Sequence, residues 1–355
     1  MVTGCDLVSV MQEGTIPLAV SLRWAMKTAW VLRTNNDPQS AVVRLLENLW
    51  QRADIETMLA PTRAGDPAGV EPTWLTSRAG LKQVDLFAPL MKRNAAAALA
   101  ERPERGPRWS GALLRPCEAR AVNDLVRREK LSRDRMLTIG FDCLSTLAED
   151  EYLEREMREG GAQRMTQEAL QFAPQGGILA YRNRRACQAC PQPVPSEVDI
   201  VLGFLGMPVR KSILVLARDE AITSSLGLGE LTDGPASDAL VDSRAAMVAQ
   251  VVARNRRTAE RFIRALSADL PSDVEELIAY FDNCEPCQLC LESCAIYDDE
   301  LVALSERELG RAARVGRWLA ACVGCGMCEQ ACPREMPLAA LHDRLASLAR
   351  HEVVH

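Results

Sequence analysis

Eight cysteines near the carboxyl end fall into two runs of one spacing, Cys284-x2-Cys287-x2-Cys290-x3-Cys294 and Cys322-x2-Cys325-x2-Cys328-x3-Cys332-Pro333. This is the ligand spacing of bacterial two-cluster ferredoxins, and it predicts two cubane 4Fe-4S clusters. A cubane takes three thiolates from one tight loop and a fourth from elsewhere, so the last cysteine of each run is expected on the other cluster. Cluster one then uses Cys284, Cys287, Cys290 and Cys332, and cluster two uses Cys322, Cys325, Cys328 and Cys294. Zinc is the competing metal, but its four-thiolate sites are usually built from two separated Cys-x2-Cys pairs. Gly324 and Gly326 allow backbone amides of the second run to turn toward sulfur, where hydrogen bonds stabilise a reduced cluster. The first run has Glu285, Pro286, Gln288 and Leu289 at those places, so the two clusters are expected to differ in potential.

A second constellation is dispersed: Cys117, Cys143, Cys187 and Cys190. One Cys-x2-Cys pair is weak evidence, but the two other cysteines end adjacent predicted strands and complete a four-thiolate site for a third 4Fe-4S cluster. The alternative is packing, because cysteine serves well as a small buried hydrophobe. Cys5 is left over as a thiol of the terminus.

The elements that must position these thiols alternate between strand and helix. Asp37-Pro38 supplies a cap and a first-turn proline for a helix carrying Val42, Val43, Leu45, Leu46, Leu49 and Trp50, followed by a strand over 55–59. Gly111 to Leu114 reads as a strand, Pro116 to Lys130 as a helix and Met136 to Phe141 as a strand. That β-α-β pattern predicts an α/β domain with a parallel or mixed sheet, and places Cys117 and Cys143 at its carboxyl edge, where open α/β sheets bind ligands. Polar helices over 149–159 and 166–172 follow, then Cys187 and Cys190 in a loop, then strands over 198–204 and 212–217 around a turn at Gly206, Met207 and Pro208. A helical pattern over 236–270 includes a basic run, Arg254, Arg256, Arg257, Arg261 and Arg264, read as a solvated face. Another helix is expected over 298–321, between the two runs of cysteines.

With 355 residues the chain has length for two or three domains. The net charge of -6 gives no general attraction to nucleic acid or anionic membranes. No apolar run of about eighteen residues predicts a membrane span, and no leader peptide is evident. Thirteen cysteines at metal-site spacing fit a reducing compartment, so the expected location is cytoplasmic. His342, His351 and His355 all lie beyond the last cysteine, which leaves little for histidine acid-base catalysis, and no residue is assigned a catalytic role.

The chain resembles the β-subunit family of coenzyme F420-reducing hydrogenases and F420-dependent formate dehydrogenases. The matching stretches are Arg115-Pro116-Cys117-Glu118-Ala119-Arg120, Ile139-Gly140-Phe141-Asp142-Cys143, Cys187-Gln188-Ala189-Cys190 and Val198 through Gly206. Gly316-Arg317-Trp318, Cys325-Gly326-Met327-Cys328-Glu329 and Cys332-Pro333 to Pro337-Leu338 look specifically like the formate dehydrogenase β subunit. The segment between the runs and around them resembles the α-helical ferredoxin domains of respiratory and heterodisulfide-reductase-type subunits.

The resemblance implies an α/β domain over 1–218 with one cluster, a helical connector over 219–282 and a two-cluster ferredoxin-like domain over 283–355. It implies FAD in the α/β domain, because a flavin interconverts a two-electron hydride with one-electron cluster steps. Candidate flavin contacts are Gln39 and Ser40 at a helix N-terminus, where free amides suit a phosphate, with Arg115 and Arg120 beside the third cluster. Gln39-Ser40 stands where relatives carry Gly-Gly, which restricts close backbone approach to a phosphate. The implied function is that of an iron-sulfur, flavin-containing electron-transfer subunit. Its partner would be a catalytic dehydrogenase or reductase chain, molybdopterin-dependent or heterodisulfide-reductase-like. The alternatives are a self-contained flavin and iron-sulfur reductase of a small molecule, and a flavin-free iron-sulfur relay.

Overall fold

The computed structural model describes residues 28–63, 69–102, 108–158, 160–177, 182–268, 270–271, 276, 287–297, 322–342 and 344. Cys5, Cys284 and the helix expected over 298–321 lie outside the described residues, as do Gly316-Arg317-Trp318, His351 and His355. So does most of the stretch between 269 and 286.

Seven strands form one mixed sheet: β1 (Ala29–Arg33), β2 (Ile55–Arg63), β3 (Val70–Leu75), β4 (Trp109–Leu114), β5 (Met136–Phe141), β6 (Ile200–Gly203) and β7 (Ser212–Ala217). Their spatial order is β1-β7-β6-β5-β4-β2-β3. β2, β4, β5 and β6 run parallel. The pairs β2/β3, β6/β7 and β1/β7 are antiparallel and close the two ends. The α/β class expected from the β-α-β pattern is the one observed. β1 and β3, which the sequence did not disclose, are the edge strands.

Helix α1 (Pro38–Arg52) begins as its sequence requires. Pro38 occupies the first turn, and the Asp37 carboxylate accepts the Ser40 amide at 2.9 Å. Val42, Leu45, Leu46, Leu49 and Trp50 are buried in a core that takes Met58, Leu113, Leu137, Ile139 and Phe141 from the sheet. Asp37→Ala should lower unfolding free energy by about 1 kcal/mol, read as a shifted urea midpoint. The Ser40 hydrogen bonds hold the Asp37 carboxyl below its ordinary range. A depressed folded pKa contributes stability above the unfolded value and loses it as pH falls through the folded one. The deficit of the variant should therefore shrink in acid.

The opposite sheet face, bearing Leu59, Ala112, Leu114 and Met136, packs against α2 (Ala95–Ala100) and α3 (Pro116–Arg127). Successive residues of β4 thus enter different cores, as a strand buried on both faces demands. Ala295 and Ile296 from the carboxyl-terminal region complete this second core. Arg128 donates to the Ile296 carbonyl at 2.9 Å.

Helices α4 (Glu149–Glu156), α5 (Gly161–Phe172) and α6 (Arg185–Gln188) fill the segment between β5 and β6. After β7 come α7 (Glu220–Leu226), α8 (Leu228–Leu231) and the long α9 (Asp238–Leu266). α9, which falls in the expected helical connector, packs directly on the α/β unit. Val248 and Val252 cover Leu205, and Arg244 reaches Asp142 at 2.8 Å. Arg256, Arg257, Arg261 and Arg264 are exposed, whereas Arg254 turns inward to the carbonyls of Gly176 and Gly177 at 2.8 and 3.0 Å. The carboxyl-terminal region contributes α10 (Leu289–Glu292) and α11 (Met327–Ala331). Among the described residues no helix is long and apolar enough to cross a membrane.

Candidate metal centre

Cys117 lies in the first turn of α3, directly after β4, and Cys143 follows β5 by two residues. Both stand at the carboxyl edge of the parallel strands. The segment bearing Cys187 and Cys190 folds over that edge, and all four cysteines line one cleft. The expected loop is in part a helix, since α6 contains Cys187 and the Cys190 amide closes on the Cys187 carbonyl at 3.2 Å. That turn sets the Cys-x2-Cys pair on one side of the cleft. The Cys143 amide donates to the Pro193 carbonyl at 2.7 Å, which ties the end of β5 to the segment after Cys190.

None of the eleven described cysteines is in a disulfide. Burial pushes the Cys117 thiol well up, with the Glu118 carboxylate adding to it. Burial, with the neighbouring Cys187 and Cys190 thiolates adding to it, likewise raises Cys143 to about 12. Cys187 goes the other way. Burial raises it, but the Arg184 guanidinium and hydrogen bonds from Thr146 and Arg184 outweigh that and leave it below the ordinary thiol value. Thr146 Oγ1 and Cys187 Sγ share a hydrogen bond at 3.2 Å, and Arg184 Nη2 lies 3.8 Å from the same sulfur. Burial makes Cys117 and Cys143 poor bare thiolates, and a cationic metal core would relieve the repulsion among the sulfurs. Among the described residues no three His, Cys, Asp or Glu side chains converge on a single ion. The four cysteines line the cleft together.

The second cysteine run adjoins this cleft. Gly324 and Cys325 form part of its wall. Gly324 and Gly326 both have positive φ, +68° and +70°, and the Gly324 amide donates to Cys322 Sγ at 3.3 Å. In the first run Gln288 takes the place of Gly326 and adopts the same left-handed conformation, with φ +58°. Burial raises Cys322 to about 12. It also raises Cys325 and Cys328, and Cys294 is near enough to add its charge to all three. Cys290, Cys294, Cys328 and Cys332 pack together against Met336, Leu338 and Leu341.

The four expected flavin contacts are engaged elsewhere. Gln39 Nε2 donates to the Val84 carbonyl. Ser40 is held by Asp37, whose carboxylate puts negative charge where a phosphate would sit. Arg115 is 4% exposed, donates to Ala88 and Leu90 at 3.4 and 2.9 Å, and lies over the Phe141 ring at 5.5 Å. Arg120 donates to the Val323 carbonyl at 2.9 Å and to Gln192 at 3.1 Å, tying α3 to the second cysteine run. None of the four lines the cysteine cleft. As arranged, they do not fit a flavin phosphate.

Sequence reasoning gave no role to Arg184, Asp142, Gly203 or Arg244. Arg184 is one of several neighbouring arginines, and only the fold turns it inward, to 8% exposure. Asp142, directly before Cys143, accepts the amides of Phe204 and Leu205 at 2.7 and 2.8 Å and both oxygens meet Arg244. Gly203 makes room for that arginine, because a Cβ there would lie 2.5 Å from Arg244 Nε.

Fold and thiols together define an α/β protein with a cysteine-lined cleft at the carboxyl edge of a mixed sheet, flanked by a second cysteine-rich region. No protein-family model matches the chain. The F420-dependent formate dehydrogenase subunit beta of Methanocaldococcus jannaschii is 20% identical over 348 residues, covering 86% of this chain and 88% of the relative. The chain thus resembles the F420 hydrogenase and dehydrogenase β-subunit family, as its cysteine motifs led us to expect. A chain of the F420-reducing NiFe hydrogenase complex of Methanosarcina barkeri superposes with TM-score 0.47 and 12% identity, over 67% of this chain and 92% of the other.

Proposed function

We propose that this chain is the iron-sulfur electron-transfer subunit of an F420-type oxidoreductase complex. Residues 1–218 would hold one 4Fe-4S cluster on Cys117, Cys143, Cys187 and Cys190, and residues 283–355 two more, with 219–282 between them. A single observation carries the reading: four cysteines from three separate segments line one cleft, and Cys325 of the ferredoxin-type run stands in its wall. The proximity of Cys294 to Cys322, Cys325 and Cys328 supports the crossed ligand set for cluster two. Cys287, Cys290 and Cys332, with Cys284, are the proposed set for cluster one. Such clusters supply one-electron storage when bound.

The protein's own part is to exclude water from the thiols, to neutralise them with Arg184 and to keep the two cysteine regions in contact through Arg120 and α11. The name of the curated relative supports a catalytic dehydrogenase chain as partner, one that would carry the molybdopterin or other reaction centre. Because Asp37 occupies the α1 N-terminus and carbonyls occupy Arg115, the flavin-free relay is favoured over the flavin-bearing subunit.

Anaerobic purification with reconstitution tests both points. About twelve irons per chain and no stoichiometric flavin are expected, from about four irons per cubane. About eight irons would make Cys117, Cys143, Cys187 and Cys190 structural, and about four or fewer would defeat the reading. One FAD per chain would reinstate the flavin-bearing subunit.

A further inference from the structure

One buried cation touches both cysteine regions. Arg184 Nη2 lies 3.8 Å from Cys187 Sγ and 3.6 Å from Met91 Sδ. Its Nη1 reaches Gln330 Oε1 at 3.2 Å and Met327 Sδ at 3.5 Å, both on α11, the helix that follows Cys325. Its Nε donates to Thr146 Oγ1 at 2.8 Å. The fork is therefore held from three directions, with one arm in the α/β cleft and the other against the ferredoxin-type run. Met91, Met327 and Cys325 form an apolar cluster with Cys117 beside it. A charge among such groups is weakly screened, and its influence on both sets of sulfurs is correspondingly large.

We propose that Arg184 is a positioning residue that sets the reduction potentials of the two adjoining cluster sites, Cys117/Cys143/Cys187/Cys190 and Cys322/Cys325/Cys328/Cys294. The inference rests on the iron-sulfur reading above. Reduction of either site adds one electron and one negative charge, with no proton required, and the guanidinium favours the added charge at both. Because the same cation serves both sites, it raises both potentials together. Lysine is not equivalent, since its single ammonium cannot occupy both arms of the fork.

The test is a dithionite titration of the reconstituted full chain, followed by electron paramagnetic resonance, for wild type, Arg184→Gln and Arg184→Lys, with iron counted in each. Arg184→Gln with full iron should shift the reduced-to-oxidised ratio at both sites about tenfold toward oxidised at a given potential, or about 59 mV for one electron. Arg184→Lys should shift one of the two midpoints and leave the other. Wild-type midpoints in an iron-replete Arg184→Gln chain would overturn the proposal. If Arg184→Gln does not retain iron, Arg184→Lys decides: one displaced midpoint supports the proposal, and two unmoved midpoints overturn it. A wild-type chain with about eight irons would instead remove the cluster on Cys117, Cys143, Cys187 and Cys190, and about four or fewer would remove the cluster reading itself.

Discussion

Arg244→Met is expected to lower the unfolding free energy by about 3–5 kcal/mol, the usual consequence of leaving one member of a buried ion pair alone. Asp142 has no exposed side-chain surface and Arg244 only 5%. Arg244 Nη2 lies 2.8 Å from both Asp142 oxygens, so removing it strands a carboxylate that only the amides of Phe204 and Leu205 still satisfy. Asp142 directly precedes Cys143 on the carboxyl edge of β5. The same substitution should therefore loosen one wall of the cysteine cleft and lower iron retention there. Urea denaturation measures the stability, and iron counted after gel filtration measures the retention. Asp142→Asn combined with Arg244→Met removes both charges and leaves an amide oxygen for the two backbone donors. That double variant should recover part of the loss. No recovery would show that the packing of Arg244 around Gly203, and not its charge, stabilises this corner.

The sequence disclosed what depends on local pattern. Asp37-Pro38 and the spacing from Val42 to Trp50 are a helix start and an amphipathic face, and both are found in α1. β5 and β7 have the expected limits because continuous apolar runs bounded by polar residues read clearly as buried strands. β1 and β3 were hidden. Each is an edge strand with mixed burial, and β3 includes a proline, so neither shows clean alternation or a long apolar run. The four dispersed cysteines could be grouped because two of them end adjacent strands, a placement fixed by β-α-β topology. Arg184, Arg244 and Gly203 could not be. Their roles arise from contacts across long sequence separations, and an arginine that will be buried looks in sequence like one that will be solvated. Arg115 and Arg120 show the converse: residues beside the cleft in sequence turn to carbonyls of the protein itself.

Gly326→Ala is expected to uncouple the ferredoxin-type run from the cleft. Gly326 has φ +70°, a conformation that costs an alanine on the order of 1–3 kcal/mol. A Cβ there would also lie 2.2 Å from the Cβ of Ala186, in the helix that carries Cys187. Backbone has to move to relieve that overlap, because neither atom is at the end of a flexible side chain. The movement would carry α11 away from α6, and with it Gln330 and Met327 from Arg184. Gly324→Ala separates the two effects, since Gly324 has nearly the same φ, +68°, but nothing within 4 Å of an added Cβ. It should show the backbone cost alone. The excess loss in Gly326→Ala, measured by urea denaturation, then reports the contact between α6 and α11. Adding Ala186→Gly should remove the overlap and return Gly326→Ala toward the Gly324→Ala value, less the roughly 0.5–1 kcal/mol that glycine costs a helix. Equal losses in the two single variants would mean that α6 and α11 do not meet in solution. The contacts of Arg184 with Met327 and Gln330 would then be absent as well.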